Sequence, residues 1–466
     1  MPGSSLFSKV LIANRGEIAV RIIRACHELG IRTVAVHSKA DVDALHVKLA
    51  SESVCIGPAL AKDSYLAIPS IMSAAIATGC DAIHPGYGFL SENPAFAEVC
   101  ATCGITFIGP AVKNMRVMGD KARARRAADK AGVPTIPGDS KGFLDAAEAI
   151  LVAERAGFPV LLKACAGGGG RGMKIVKEAQ EFAALFSTAQ REVEAAFGDG
   201  HLLVEKYLPK VRHIEVQIAG DKSGNVIHLG IRDCSVQRRY QKIIEESPSI
   251  GLPPHLQEQI QNAAVELGRA ANYTNVGTVE FLADLEKGAF YFIEMNTRLQ
   301  VEHPVTEMLT DTDIVKEMIR LAAGHDLSFS QDQVKMKGHV MEARINAEDP
   351  KTLIPSPGYI QVYHPPGGNG VRVDSAIYSG YTVQPYYDSL IAKLIVRAED
   401  RSACIRKMLV ALDEFMVTGI RTNIELHRRI LQHPDFVSGN FHTKFLDHVN
   451  LFAEENTANE TSRALH

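Results

Sequence analysis

A chain of 466 residues is long enough for two to four domains of roughly 100 to 200 residues each, and excludes a small scaffold held by disulfides. Hydrophobic residues make up 46% and charged residues 22% of the total, which are the proportions of a folded globular protein and not of a disordered one. Fifty Lys plus Arg against 54 Asp plus Glu leave a net charge of -4, so no global basic field draws in nucleic acid or an anionic membrane, and any anionic ligand must be met by a local cluster.

The first 120 residues alternate short β-branched runs with helical patterns: KVLIAN at 9–14, a helix at 17–29, RTVAVHS at 32–38, a helix around 42–51, DAIHPG at 81–86 and ITFIGP at 105–110. That rhythm predicts an open parallel sheet wrapped by helices. Its first strand-to-helix turn, NRGE, contains only Gly16. The three-glycine dinucleotide fingerprint is therefore missing, and a Rossmann-like topology without NAD is expected. From 121 to 206 a helical stretch, the strand PVLLKA, a glycine run and the strand LLVEKYL have the pattern of a small inserted subdomain. Strands then dominate, with HIEVQIAG, VIHLGIRD, GTVEFLAD and FYFIEMN, and helices near 255–272 and 312–323. Segment 338–398 adds strands between Pro and Gly turns, 402–432 reads as helix-turn-helix, and the polar tail AEENTANETSRALH is expected to fray.

No apolar run approaches the roughly 18 residues of a membrane span. Neither a secretory signal nor an Arg- and Ser-rich presequence is seen, so the cysteines at 26, 55, 80, 100, 103, 165, 234 and 404 are expected to be reduced, in a cytoplasmic setting. Cys100 and Cys103 lie close together without a second Cys or His pair at zinc-finger spacing, and no zinc site is expected there.

Three stretches carry chemistry. Gly167, Gly168, Gly169 and Gly170 lie between the strands PVLLKA and KIV; consecutive glycines expose backbone N–H groups to phosphate oxygens and let a loop close as a lid. Gly172 is followed by Met173, so this is not a Walker A loop. A plain hairpin tip is the alternative, but Lys163 and Lys121 nearby supply charge for phosphates. The second stretch, GTVEFLAD followed by FYFIEMNTRLQVEHPVTE, contains Glu280, Glu294, Asn296, Arg298, Gln300 and Glu302. Alternation along an extended segment puts the last five on one face, and pairing through the DLEKGA turn brings Glu280 to Glu294. Two carboxylates and an amide oxygen make a hard-oxygen set suited to magnesium on nucleotide phosphates. The third, RDCSVQRRYQKIIEE, packs Arg238, Arg239 and Lys242 around Gln237, Tyr240 and Gln241, which suggests positioned hydrogen bonding to an anion.

Together with LIANRGEIAVRIIRAC, HPGYGFLSEN, MGDK, KACAGGGGRGM, RINAEDP and PYYDSLIAKL, these motifs resemble the biotin carboxylase component of biotin-dependent carboxylases, a branch of the ATP-grasp superfamily, from about Phe7 to Leu446. The resemblance implies an α/β fold with an N-terminal Rossmann-like domain (1–120), an ATP-grasp domain (121–330) whose mobile glycine-loop lid spans about 136–206, a C-terminal α+β domain (331–450) and a flexible tail (451–466). It implies ATP binding by Lys121, Lys163, the four glycines, Glu205, Lys206, Tyr207, Leu208, His213, Gln237, Tyr240, Glu280 and Glu294. Two magnesium ions, or manganese, would sit at Glu280, Glu294 and Asn296. Bicarbonate would meet Lys242, Arg298, Gln300 and the Val301 backbone, with Glu302 as base, and Arg344 would face the biotin ureido oxygen. A structural salt bridge from Arg344 to Glu342, Glu348 or Asp349 is the alternative for that residue. Two positions depart from the family pattern: Tyr240 replaces a common His, and Ala166 a common glycine.

The implied reaction is ATP-dependent carboxylation of biotin through carboxyphosphate, as in the first half-reaction of acetyl-CoA carboxylase in fatty acid synthesis. Propionyl-CoA, pyruvate or urea systems are alternatives. VKMKG and GMKIV lack the frame of a biotinylated lysine, and no carboxyltransferase-sized segment follows residue 450. A separate biotin carboxyl carrier protein and carboxyltransferase subunits are therefore the expected partners, and the resemblance implies a homodimer. Another ATP-grasp carboxylate–amine ligase would not need Arg298, Glu302 and Arg344 together, and a silent ATP-binding subunit would not be expected to keep Glu280, Glu294 and Glu302.

Overall fold

The computed structural model describes residues 6–139, 141–165 and 173–453. Gly167, Gly168, Gly169, Gly170 and Ala166 lie outside the described residues, and so does the expected loop closure. The N-terminal sheet contains β1 (Lys9–Ile12), β2 (Arg32–Ser38), β3 (Glu52–Gly57), β4 (Ala82–His84) and β5 (Thr106–Phe107), in the order β3-β2-β1-β4-β5. All four pairings are parallel. Val10, Leu11 and Ile12 are fully buried, as expected for a strand covered on both faces. Helix Gly16–Glu28 turns Ile18, Ile22, Cys26 and their neighbours onto this sheet. Gly16 has φ 67°, a conformation open to glycine at little cost.

The strand order reverses between β1 and β4, and open α/β sheets bind ligands in the crevice at the carboxyl ends of such a switch point. Here that crevice is bordered by Asn14 after β1 and by the HPGYG segment after β4. The Asn14 amide donates to the carbonyls of Pro85 and Tyr87, each at 2.7 Å. A Cβ on Gly86 would lie 2.9 Å from Asn14 Nδ2, so glycine lets the two segments close on each other.

The lid pairs β6 (Val160–Ala164) antiparallel with β7 (Lys174–Val176) and β8 (Leu202–Lys206). Its own core of Val160, Leu162, Phe182, Phe186 and Val204 is packed by helices Ala146–Ala156 and Ala179–Phe197. The largest sheet is antiparallel throughout. Its strands are β9 (Arg212–Gly220), β10 (Val226–Arg238), β11 (Gln241–Ser247), β12 (Asn275–Asp284), β13 (Ala289–Asn296) and β14 (His339–Asn346). After β15 (Gly358–Tyr359) and β16 (Val362–His364), β17 (Val371–Ser375) joins that sheet; β18 (Thr382–Val383) precedes β19 (Leu390–Ala398), and β20 (Met416–Thr418) is last. The sheet order is β13-β12-β9-β10-β11-β14-β19-β17, so strand pairing runs unbroken across residue 331. The stretch read as helix-turn-helix instead contains helices Arg401–Glu414 and Ile424–Gln432 with β20 between them. The β-branched MVT pairs there with β16. Among the described residues no helix is long and apolar enough to cross a membrane.

Candidate active site

A cavity of about 950 Å³ opens between the parallel sheet, the lid and the large antiparallel sheet. At its lid side Glu205 is 5% exposed and accepts from Lys163 at 2.6 Å and Arg125 at 3.4 Å. The Lys206 ammonium donates to the carbonyls of Gly157 and Phe158, tying the end of β8 to the turn before β6, while Tyr207 and Leu208 line the wall beside it. Lys121 opens the helix Lys121–Lys130, whose N-cap is Asp120. Burial lowers its pKa, and the charge of Glu294 opposes that shift.

The β12–β13 hairpin sets Glu280 directly opposite Glu294. Glu280 takes His213 at 2.9 Å on one oxygen, and Asn296 and Gln300 at 2.8 Å with Lys242 at 3.3 Å on the other. Burial works against its charge, yet Lys242 and His213 hold its pKa far below the carboxylate range. His213 responds in kind: burial disfavours its cation, but Glu280 raises its pKa overall. Glu294 differs. No hydrogen bond reaches it among the described residues, and burial together with the charge of Glu280 raises its pKa. An ionisable oxygen pair left facing the cavity beside a second carboxylate and the Asn296 amide fits a hard divalent cation such as magnesium or manganese.

Residues 294–302 converge, but not by the alternation the sequence predicts. β13 ends at Asn296, and 297–302 form a loop and turn that lead into helix His303–Thr310. The backbone reverses there, and ion pairs gather the side chains. Arg298 donates to Glu92 at 2.9 Å and to Asn296 Oδ1 at 2.9 Å. Arg232, fully buried, donates to Gln300 at 3.2 Å. The Val301 carbonyl accepts from Lys393 at 2.9 Å. Glu302 takes Lys242 at 2.5 Å on one oxygen and Arg344 at 2.8 Å on the other. Burial opposes its charge, but Lys242, Arg344 and Arg232 hold its pKa well below the usual value.

The expected basic cluster of Arg238, Arg239 and Lys242 is not one cluster. β10 and β11 pair as a hairpin through Arg239 and Tyr240, whose φ values are 50° and 65°. Lys242 enters the cavity, whereas Arg238 reaches the Lys351 carbonyl at 3.3 Å on the exterior. Gln237 and Tyr240 line the cavity, and Lys444 lies 4.9 Å over the Tyr240 ring. Arg344 pairs neither with Glu342 nor with Glu348 or Asp349 but with Glu245 at 2.6 Å and with Glu302.

Several residues of this network are not among those singled out from the sequence. Glu215 joins Arg232 at 2.5 Å and Lys242 at 2.6 Å, Glu92 braces Arg298, Glu245 backs Arg344, and Lys393 is held by Glu17 at 2.9 Å. The signal for Glu215 was present in RHIEVQIAG: a carboxylate and an amide alternate with Ile214, Val216 and Ile218 in a strand buried on both faces, where charge persists only with partners.

The descriptions of three family models match this chain in order: "Biotin carboxylase, N-terminal domain" over residues 6–115, "Carbamoyl-phosphate synthase L chain, ATP binding domain" over 120–330 and "Biotin carboxylase C-terminal domain" over 342–448. The fold and cavity thus define an ATP-grasp ligase. Biotin carboxylase 1 of Bacillus subtilis is 52% identical over 443 residues, 95% of this chain and 98% of that one. The biotin carboxylase of Campylobacter jejuni, solved as a β-γ-ATP complex, superposes with a TM-score of 0.93 at 49% identity, covering 95% of this chain and 99% of that one. The biotin carboxylase domain dimer of Hydrogenobacter thermophilus 2-oxoglutarate carboxylase, solved with MgADP, ADP and bicarbonate, gives 0.91 at 50% identity, with 95% and 98% covered. The chain belongs to the biotin carboxylase family.

Proposed function

We propose that this chain carboxylates biotin on a separate carrier protein, using ATP and bicarbonate. The observation that carries this reading is the meeting, in one cavity, of a phosphate-facing set (Lys121, Lys163, Glu280, Glu294) with the Lys242, Arg298, Gln300, Glu302 and Arg344 set. ATP would lie with its adenine along Glu205, Lys206, Tyr207 and Leu208 and its ribose end toward His213, Gln237 and Tyr240, under a lid carrying Gly167, Gly168, Gly169 and Gly170. Glu280, Glu294 and Asn296 would hold magnesium, which when bound supplies positive charge to the transferring phosphoryl group.

Lys242 and Arg298 hold bicarbonate, with Gln300 and the Val301 backbone fixing its orientation, and Glu302 accepts its proton. A carboxylate paired as Glu302 is with Lys242 is a weak base. An anion bound against Lys242 takes up part of that cation's field and returns basicity to Glu302. The bicarbonate oxygen attacks the γ-phosphorus of ATP and ADP leaves, giving carboxyphosphate; its C–O bond to the phosphoryl oxygen breaks to give CO2 and phosphate, phosphate takes the ureido N–H proton, and the nitrogen forms its bond to the carbon of CO2. Arg344 stabilises the enolate oxygen of biotin. A cavity closed by the lid keeps water from the acyl phosphate.

The reading extends to a homodimer, to carboxyltransferase subunits as further partners and to a cytoplasmic setting, which the eight free cysteines favour. The final acceptor belongs to the carboxyltransferase. Acetyl-CoA carboxylase and the 2-oxoglutarate or pyruvate systems fit this chain equally. The test is ATP cleavage by the purified chain with and without bicarbonate and free biotin. Carboxybiotin formation that needs both supports the reading, and ATP cleavage indifferent to bicarbonate overturns it.

A further inference from the structure

Behind Arg344, on the side away from the cavity, lies a pair of acidic residues that the proposed chemistry does not use. β11 and β14 pair antiparallel with Glu245 directly opposite Glu342, positions whose Cβ atoms stand about 5 Å apart in such a ladder. Both residues are fully buried. Glu245 Oε1 accepts from Arg344 at 2.6 Å, but among the described residues its Oε2 has no partner, nor does either oxygen of Glu342. Three buried acceptor atoms on facing carboxyls therefore lack a donor. Leaving them all ionised would incur the desolvation of two like charges side by side.

Among the described residues no cation is bonded to Glu342, although the charges of Lys393 and Arg344 act on it. Lys393 on β19 stands opposite Arg344, one position along the same face from Glu342's partner Ile395, and its ammonium is bonded to Glu17 and to the Val301 carbonyl, with Asp374 at 3.9 Å. Arg344 on β14 is bonded to Glu245 and Glu302. His303, at the start of helix His303–Thr310, is buried and kept neutral, its pKa far below the usual value through burial and the charge of Lys393. Tyr87, from the segment after β4, donates to Glu17. One proton held by Glu342 and donated to Glu245 Oε2 resolves both sides: Glu342 becomes neutral, and Glu245 gains a donor while keeping its charge for Arg344.

We propose that Glu245 and Glu342 share a single proton and act as positioning residues that set Arg344 for its second substrate. The anionic Glu245 anchors the Nε side of the guanidinium, so the group spans Glu245 and Glu302 instead of collapsing on Glu302, and its outer edge stays turned to the cavity. This rests on the biotin carboxylase reading, in which Arg344 meets biotin. Directions of titration agree. Burial raises Glu342 well above a normal carboxyl against the pull of Lys393, with Glu245 adding to the rise, and burial moves Glu245 up to about 7 against the pull of Arg344.

The consequences are testable on the whole chain. Glu245→Gln removes the anchor, and the KM for free biotin should rise roughly tenfold to a hundredfold, the range of one charge-assisted hydrogen bond. The KM for ATP should stay within about twofold, since no phosphate-facing residue changes. Glu342→Gln replaces the shared proton by an amide N–H that does not titrate. It should carboxylate biotin near the wild-type rate at neutral pH and lose an alkaline limb present in wild type, where loss of the shared proton leaves two anions drawing Arg344 inward.

Infrared spectroscopy supplies a readout that needs no active variant: the wild-type chain at neutral pH should show a protonated-carboxyl C=O band, shifted in D2O, that disappears on raising the pH. A wild type without such a band would overturn the shared proton, as would a Glu342→Gln variant that retains it. A Glu245→Gln variant with unchanged biotin KM would overturn the anchoring role. If the wild type cleaves ATP but forms no carboxybiotin, the functional reading fails instead, while the infrared result still decides the pair.

Discussion

Lys163 and Glu294 both line the cavity, but their partners make their losses unequal. Lys163 is neutralised in the resting chain by Glu205 at 2.6 Å. Lys163→Ala removes a charge that ATP must first draw off that partner, and it also leaves Glu205 buried with only Arg125. The expected outcome is a KM for ATP raised about tenfold with kcat changed little. Glu294→Ala should instead lower kcat by about a hundredfold, because the metal's charge matters most as the phosphoryl group transfers. Steady-state kinetics that show the same effect for both variants would reject the division. Arg344→Ala separates the two halves of the reaction: slow bicarbonate-dependent ATP cleavage should survive, while biotin carboxylation falls by roughly a hundredfold, as for loss of one oxyanion donor. The carboxylates opposed in one hairpin, Glu280 and Glu294, were readable because a short turn fixes their register. Glu245 was not, because its partner Arg344 lies on β14, about a hundred residues later; Glu215 and Arg232 face each other in the β9–β10 hairpin, but a register shift between His228 and Ile231 hides that pairing from simple alternation.

The β10–β11 hairpin shows what one element contributes and what its sequence hides. A two-residue turn with both φ values positive suits Asn-Gly, yet Arg239 and Tyr240 occupy it. The alternation of the two strands then separates residues that sit together in RRYQK: Arg238 outward, Lys242 inward, Tyr240 at the cavity wall under Lys444. Strand periodicity was legible here, but the turn was not, since neither residue is a turn former. The strained position away from the cavity is Arg239, which is not among the residues lining it. Arg239→Asn should therefore stabilise the fold by roughly 0.5 to 1 kcal/mol, a typical gain where a left-handed position receives a residue that tolerates it. The urea midpoint should rise while the KM for ATP stays the same. An unchanged or lowered midpoint would show that the turn carries no removable strain. The reverse holds for the stretch after β13, where alternation predicts six more extended residues than the strand has, because nothing in NTRLQVE marks the point at which the strand ends.

At the scale of the whole molecule, the sequence separates segments that the sheets join, and joins segments that the cores separate. The alternating strand and helix pattern made four strands of the parallel N-terminal sheet legible, because parallel strands are written as local apolar runs; the edge strand β3, ESVCIG, in which only Ile56 is buried, was not. The large antiparallel sheet was not legible as one object, since β11 meets β14 nearly a hundred residues later. β14 covers the edge of β11, whose Ile243, Ile244, Glu245 and Glu246 are all buried. A chain ending at residue 330 would lose β14, β17 and β19 together and expose that edge, along with carboxylates whose partners Arg344, His339 and Arg401 had been removed. Exposed edges pair with other chains and buried charges without partners destabilise by several kcal/mol, so such a fragment should collect in the insoluble fraction. The lid is the opposite case. Its core of Val160, Leu162, Phe182 and Val204 is its own, and Gly138 and Glu205 face each other as a bridge pair where the chain enters and leaves it. Replacing residues 140–203 by a short Gly-Ser linker should therefore leave a soluble, cooperatively folded protein that has lost ATP binding along with Lys163 and the glycine loop. Circular dichroism and a denaturant melt check the fold, and titration with ATP checks the loss. A soluble 1–330 fragment, or a lid deletion that unfolds the remainder, would show that the cohesion of this molecule does not follow its sheets.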